Sequence, residues 1–316
     1  MSAQARAALK LSGLDDQGGG AKLRNAASRA RVYCYPRLDR AGLGNCLLVW
    51  ARAVTFARAH ALPLLAPRWV QPRLGAYLRG ERVKRLYWNE FTGKGYVTGF
   101  RRALILATFP RKSEEEASAT VAAGARAVIV FEGLRKYFAD IRSHREQVRQ
   151  ELFEIVSPLI LEKLEPFPEG FIGMHIRRGD IMTPGLTQEQ LLAKKHYTPL
   201  GWFIAGALAA RADPHWRRLP VCVLSDGREP ELAALLRVPN CRLVTRGTAI
   251  GDLLFLAKAK LLFGTGHSTF SMWASHLGAM PTVYAAGKLD QRVFAPEDGV
   301  IEGEWAPGQP LPHPPC

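Results

Sequence analysis

Phe171-Ile172-Gly173-Met174-His175-Ile176-Arg177-Arg178-Gly179-Asp180 changes character halfway along its length. Its first four residues are short and apolar, bounded by Gly170 on one side and by charges on the other. They read as a buried strand that delivers a polar cluster at its C-terminal end. In an open parallel α/β sheet, ligands bind at that end. A histidine followed by two arginines, a glycine and an aspartate sets guanidinium donor forks beside a titratable ring and a carboxylate. The glycine lets the backbone approach a ligand closely. This is the outline of a phosphate site, although an Arg-Arg pair in a solvated surface turn has the same residue types.

Downstream, strand and helix signals alternate. A helix opened by Thr198-Pro199 is followed by the strand Val221–Leu224, a helix through Glu229–Leu235, the strand Cys241–Val244, a helix from about Gly251 to Ala259, the strand Leu261–Phe263, a helix from Ser268 to Leu277, and the strand Thr282–Tyr284. Such alternation predicts parallel βαβ units with right-handed crossovers, hence a Rossmann-like sheet. Three polar constellations fall at its ligand edge: the opening run, Ser225-Asp226-Gly227 after a strand end, and Gly264-Thr265-Gly266-His267-Ser268-Thr269-Phe270-Ser271. In the last, a helix begins with hydroxyl residues. Its free N–H groups and dipole favour an anion, although a Ser/Thr helix cap accounts for the same residues.

Upstream of the linker-like Glu165-Pro166-Phe167-Pro168-Glu169-Gly170, the pattern is less regular. Val32–Tyr35 reads as a first strand, and Gly42-Leu43-Gly44-Asn45 leads into Leu47, Trp50, Ala51, Val54, Ala57 and Ala61 at helical spacing. Asn45 is the expected N-cap. The two glycines permit a tight strand-to-helix turn whose N–H groups point toward an anion or a sugar hydroxyl; a plain structural turn needs the same glycines. Pro63-Leu64-Leu65, Ala103–Leu106 and Val128–Phe131 read as further strands, and Glu151–Leu164 as a helix kinked at Pro158. Trp69, Tyr77, Tyr87, Trp88 and Tyr96 lie in the intervening loops, where aromatics stack on sugars or fill the core.

Composition limits the partners. The formal net charge is +15 and 47% of residues are hydrophobic. At roughly 100–200 residues per domain, the length suggests two domains. The charge favours phosphorylated ligands, anionic polysaccharide or anionic lipid surfaces, while no nucleic-acid motif accompanies the scattered basic pairs, so nucleic acid is not an expected partner. The cysteines are odd in number, without Cys-x-x-Cys spacing. With no long apolar run and no secretory leader pattern, they predict a cytoplasmic protein, with peripheral association at the inner face of the membrane as a companion expectation.

His175-Ile176-Arg177-Arg178-Gly179-Asp180 resembles the His-x-Arg-Arg-Gly-Asp signature of the α-1,2-fucosyltransferases, related to that of the α-1,6- and protein O-fucosyltransferases. Gly42-Leu43-Gly44-Asn45 is similar to that family's Gly-x-Gly-Asn opening, and Asp252-Leu253-Leu254 through Ser268-Thr269-Phe270-Ser271-Met272-Trp273 is similar to its Asp-Leu … Ser-Thr-Phe-Ser-Trp-Trp block. The chain departs from the pattern at Cys46, Ile181 and Met272, where the family has glutamine, tyrosine and tryptophan.

The resemblance implies an α/β, GT-B architecture of two Rossmann-like domains facing across a cleft. A tail over 1–30 would precede an acceptor-side domain over 31–165, a nucleotide-sugar domain over 166–290 and a polar, Pro-rich tail over 291–316. It implies an inverting, metal-independent transfer of L-fucose from GDP-fucose to a glycan hydroxyl, α-1,2 to a galactoside, without a cofactor; the acceptor is galactose-terminated or an anionic polysaccharide. His175 and Asp252 would contact guanine, Arg177 the β-phosphate, Ser268 and Thr269 the diphosphate, and Gly44 and Asn45 the fucosyl group or diphosphate. Ser225, Asp226 and His267 complete the expected donor-binding set, and Asp180 stands beside the catalytic Arg177 as base or as its ion-pair partner. By strand alternation Arg178 points away from Arg177. The alternatives are a transferase of the same fold using another sugar and a non-catalytic polyanion-binding protein.

Overall fold

Apolar strands alternating with amphipathic helices build two all-parallel sheets among the described residues. The computed structural model describes residues 30–38, 41–70, 87, 89–164, 170–179, 181–182 and 185–314. The expectations for a tail over 1–29, for a linker over 165–169 and for Tyr77 and Trp88 lie outside these residues. The first half supplies β1 (Val32–Pro36), α1 (Leu43–Ala59), α2 (Gly99–Thr108), β2 (Arg111–Ser113), α3 (Ala117–Ala122), β3 (Ala127–Phe131), α4 (Arg145–Ile155) and the one-turn α5 (Pro158–Leu161). The second half supplies β4 (Ile172–Ile176), α6 (Gln188–Ala193), α7 (Leu200–Ala212), β5 (Val221–Ser225), α8 (Glu229–Leu236), β6 (Cys241–Leu243), α9 (Ala249–Leu256), β7 (Leu261–Phe263), α10 (Thr269–Gly278), β8 (Thr282–Ala285) and β9 (Glu302–Trp305).

In the first sheet the order is β1-β3-β2, with Cys34 and Lys112 both opposite Ile129. Three expectations are corrected here. The strand expected at Pro63–Leu65 is reduced to isolated bridges, Leu64 to Cys34 and Leu65 to Val97. Ala103–Leu106 is helical within α2: a short apolar run satisfies either period, and here only Ile105 of the helix is buried. Pro158 starts a separate turn instead of kinking a long helix, because its ring suits a first helical turn better than an interior.

The second sheet runs β6-β5-β4-β7-β8-β9, the Rossmann strand order, in which the direction of winding reverses between β4 and β7. Met174 pairs with Phe263, the last residue of β7, whereas His175 and Ile176 continue alongside Leu224 and Ser225 of β5. The end of β4 therefore projects past β7 at the reversal point. β9 corrects the tail expected from residue 291. Its Glu-Gly-Glu-Trp sequence carries no apolar run, yet Trp305 is buried and its carbonyl accepts from Trp202 Nε1 at 2.9 Å. Buried Glu302 accepts from the Val293 and Phe294 amides at 2.8 and 3.2 Å, both on Oε2.

One face of this sheet packs Trp202, Phe203 and Trp305 around Phe263. A Cβ on Gly206 would stand 2.5 Å from the Phe263 ring, so glycine permits α7 its close approach. The other face belongs to a core that continues through α9 and α10 into α1 and α4, joining Trp273 to Trp50 and Phe138. No helix among the described residues is long and apolar enough to cross a membrane.

Candidate functional site

The projecting end of β4 is fixed by two hydroxyls. Thr265 Oγ1 donates to the His175 carbonyl at 2.7 Å and accepts from the Arg177 amide at 3.1 Å. Ser271 Oγ accepts from the Thr265 amide at 3.1 Å and sits 2.7 Å from His175 Nδ1. The His175 ring also stacks on Phe270, with centroids 4.7 Å apart. Burial, reinforced by the Arg177 charge, pushes its pKa down to about 3, so the ring is neutral at physiological pH and offers one donor and one acceptor.

Arg177 and Arg178 diverge as strand alternation dictates. Arg177 lines the cleft at the β4–β7 reversal point. Arg178 is 3% exposed, donates to the Thr198 carbonyl at 2.9 Å and lies over the Tyr197 ring, and burial holds its pKa below the usual guanidinium value. Ser225 and Asp226 anchor this loop. Ser225 Oγ donates to the Ile176 carbonyl at 2.6 Å, and Asp226 Oδ1 accepts from the Arg178 amide at 2.6 Å. A Cβ at Gly179 would stand 2.7 Å from Asp226 Oδ2, which explains the glycine.

Two helix N-termini converge on the same cleft. Gly42, not the expected Asn45, is the N-cap of α1; Ser268 is that of α10. Neither makes a side-chain cap bond, and neither helix has an acidic residue in its first turn. Apart from the Asn45 amide, which donates to the Gly42 carbonyl at 3.1 Å, their first-turn N–H groups and positive dipole ends suit an anion. The helices meet closely: a Cβ on Gly44 would lie 2.6 Å from Thr269 Oγ1. Thr269 Oγ1 donates to Asn45 Oδ1 at 2.7 Å, and Trp273 Nε1 donates to the Gly44 carbonyl at 2.8 Å.

At the opposite wall, Asp252 in the first turn of α9 accepts from Thr245 Oγ1 at 3.2 Å and from the Arg246 amide. Glu90, from the first half, reaches across to accept from the Ile250 amide at 2.9 Å. Burial pushes its carboxyl up to about 7 despite the backbone bonds that favour the charged form.

The cleft, about 170 Å³, brings together Gly44, Asn45, His175, Arg177, Ser225, Asp226, Asp252, Ser268 and Thr269. His267 is not among the residues lining it. Its left-handed backbone, φ +54°, directs the ring toward Asp290 at 3.5 Å and His196, whose Nδ1 donates to the His267 carbonyl at 3.1 Å. Asp180 lies outside the described residues. Tyr87, expected as a loop aromatic that stacks on a sugar or fills the core, and Phe270, from the hydroxyl-rich run that opens α10, also line the cleft. Only its aromatic character in a loop pointed to Tyr87, and a second cavity, about 590 Å³, shares that residue and adds Trp69, Asn89, Phe91 and Tyr96. Trp69 stacks on Phe91 with centroids 3.8 Å apart.

No protein-family model matches the chain, and no curated protein matches it in sequence. Solved structures do resemble it. The crystal structure of NodZ alpha-1,6-fucosyltransferase soaked with GDP-fucose is 16% identical over 81% of this chain and 95% of that chain, with a TM-score of 0.51. The selenomethionine fucosyltransferase NodZ from Bradyrhizobium is 16% identical over 82% and 96%, also at 0.51. At this identity the likeness is one of fold. Together with the paired parallel sheets and the cleft lined from both halves, it makes the architecture an α/β fold of GT-B type, built on Rossmann-like units.

Proposed function

We propose that the chain is an inverting glycosyltransferase that moves L-fucose from GDP-fucose to a glycan hydroxyl, α-1,2 to a galactoside. The carrying observation is the convergence of Arg177 and two uncapped helix N-termini on one cleft beside the neutral His175. Three fixed sources of positive potential at one point suit a diphosphate. The resemblance of the motif blocks and the likeness in fold to structures described as fucosyltransferases supply the sugar and the nucleotide.

In this reading Arg177 faces the β-phosphate, with the first turn of α10 at Ser268 and Thr269 on one side and that of α1 at Gly44 and Asn45 on the other. The acceptor oxygen attacks the anomeric carbon as the bond to the β-phosphate oxygen breaks, and the bonding pair leaves on GDP. Negative charge grows on the β-phosphate, where preorganised donors lower the barrier most. Asp252, held at the cleft by Thr245 Oγ1 and the Arg246 amide, brings a carboxylate acceptor of the kind a guanine N–H edge requires. His175 supplies the complementary polar edge and Phe270 the apolar backing. Asp226 is committed to the Arg178 amide and acts as a positioning residue; Asp180 is the candidate base for the acceptor proton. The aromatic cavity that shares Tyr87 would take the acceptor, its rings stacking on sugar C–H faces.

The test is titration calorimetry of GDP, ADP and UDP in chelator, followed by transfer from GDP-fucose to galactosides in the same buffer. Binding selective for GDP and full transfer without added metal are expected. Equal binding of all three nucleotides would refute the donor assignment, and a tenfold loss of transfer in chelator would refute metal independence.

A further inference from the structure

Three helix N-termini border the cleft, and the third differs from the other two. Those of α1 and α10 carry no side-chain cap, whereas the first four amides of α9 all have acceptors. Its N-cap, Thr248, accepts from the Gly251 amide on Oγ1 at 3.1 Å and from the Asp252 amide on its carbonyl at 3.0 Å. The Ile250 amide donates to Glu90 Oε2 at 2.9 Å, and the Ala249 amide bonds to the same carboxyl group. A residue 160 positions away in sequence, only 7% exposed, thus completes the start of this helix.

Glu90 stands between the two cavities and lines neither. Tyr87, just ahead of it, lines both, and its neighbours Asn89 and Phe91 line the aromatic one. The backbone here belongs to the first half: the Glu90 carbonyl accepts from the Ser157 amide at 2.9 Å, the Thr92 amide donates to the Ile155 carbonyl at 2.6 Å, and Phe91 bridges Val156. Tyr87 and Asn89 take left-handed φ values of +41° and +58°, which non-glycine residues keep only where their surroundings hold them. The side chain reaches the other way, to the turn of α9 that carries Asp252 and Ala249 into the cleft.

We propose that Glu90 is a positioning residue for transfer, a link of fixed length that sets the aromatic cavity against the Asp252 wall of the cleft. The inference rests on the donor and acceptor sites proposed above. An acceptor oxygen and an anomeric carbon held by different halves react only when brought within about 3–3.5 Å, and an error of about 1 Å can cost about 10²-fold in rate. Reach is what the contact supplies. Burial pushes the Glu90 carboxyl up to about 7, so near neutral pH an uncharged acceptor of the same length can serve.

The test compares Glu90→Gln, which keeps the reach and removes the charge, with Glu90→Asp, which keeps the charge and is one methylene shorter, and with Glu90→Ala. Transfer from GDP-fucose to a galactoside is divided by the number of GDP sites counted in calorimetry, so misfolded protein drops out. We expect kcat per site within about threefold of wild type for Gln, about tenfold lower for Asp and about 10²-fold lower for Ala, with both KM values nearly unchanged. A merely structural role would lower the site count and leave kcat per site at the wild-type value, which would overturn the proposal. So would an impaired Gln variant beside an active Asp variant, which would make the charge decisive, or a loss confined to GDP affinity. Wild type that binds no GDP, or binds it without transferring fucose, would refute the donor and acceptor reading itself and this inference with it.

Discussion

The two sheets bring different materials to one cleft. The six-stranded sheet offers side chains: His175, Arg177 and Asp252 stand at strand ends and a helix start, each pinned by hydroxyl or backbone partners. The three-stranded half offers mainly backbone, the Gly42–Asn45 turn, and an aromatic cavity beyond it. A sheet with the full Rossmann order holds polar groups at fixed points; the smaller sheet, bordered by isolated bridges, leaves its loops to form a wider space. In the proposed reading, rigid charge placement on one side and shape on the other divide donor recognition from acceptor recognition.

The sharpest way to break this contrast is Arg177→Ala. Transfer should fall about 10²- to 10³-fold, as for loss of a preorganised transition-state donor. GDP binding should weaken by about 1.5–3 kcal/mol in calorimetry, the value of a charge-assisted contact. Unchanged GDP affinity would detach the polar sheet edge from the donor. Next comes Gly44→Ala, which places a Cβ where Thr269 already stands. Overpacking there should cost about 1–3 kcal/mol of stability, read by denaturant melting, and should lower transfer as well as GDP affinity. A variant that lost transfer but bound GDP as wild type would assign the Gly44 turn to the acceptor side.

Of the two ligands, Trp69→Ala should act on the acceptor only, beside the stability that emptying its buried site costs. We expect an acceptor KM raised severalfold, in line with about 0.5–1.5 kcal/mol for an aromatic contact beyond its burial, with the GDP affinity unchanged and Trp69→Phe recovering most of the loss. A fall in GDP affinity would erase the division between the halves. The remaining test concerns Glu90, which crosses from one half to the other. Its folded pKa is raised from 4.5 to about 7, so the stability linked to its proton is full below about 4.5 and is lost as pH rises through 7. His175 and His276, both pushed down to about 3 from 6.5 by burial, act in the opposite sense and lose stability as pH falls below 6.5. Thermal melting from pH 5 to 8 should therefore show Glu90→Gln losing the decline toward pH 8 while keeping the histidine-driven decline toward pH 5.

How legible each half was in sequence follows the same division. The βαβ rhythm from Phe171 to Tyr284 places its strands correctly because buried parallel strands must be apolar, and the residues after each strand end must then be where ligands gather. His175, Arg177, Ser268 and Thr269, which line the cleft, were placed at the ligand edge that way, whereas Asp252, in the first turn of α9, was reached only through the resemblance of its motif block. His267 was not separable from its neighbours by sequence, since a positive φ in a non-glycine residue leaves no trace in composition. Ser225 and Asp226 were visible as polar residues, but not their tie to the β4 loop, which depends on a strand neighbour. β9 escaped because its polar residues bond to backbone amides distant from any pattern, and α2 was taken for a strand because Ala103–Leu106 is a short apolar run that satisfies either period. Tyr87 stands in a loop whose geometry no local rule supplies.

The core that runs from Trp50 and Phe138 to Trp273 has a consequence for how the molecule comes apart. Because α1 and α10 share it, and because the Trp273 indole is bonded to the Gly44 carbonyl, neither half can expose its interior while the other stays closed. Cooperativity, which usually stops at a linker, here extends across the cleft. Heating should give one calorimetric transition whose van't Hoff and measured enthalpies agree, and a nucleotide held at the junction of α1 and α10 should raise the melting temperature of the whole chain at once.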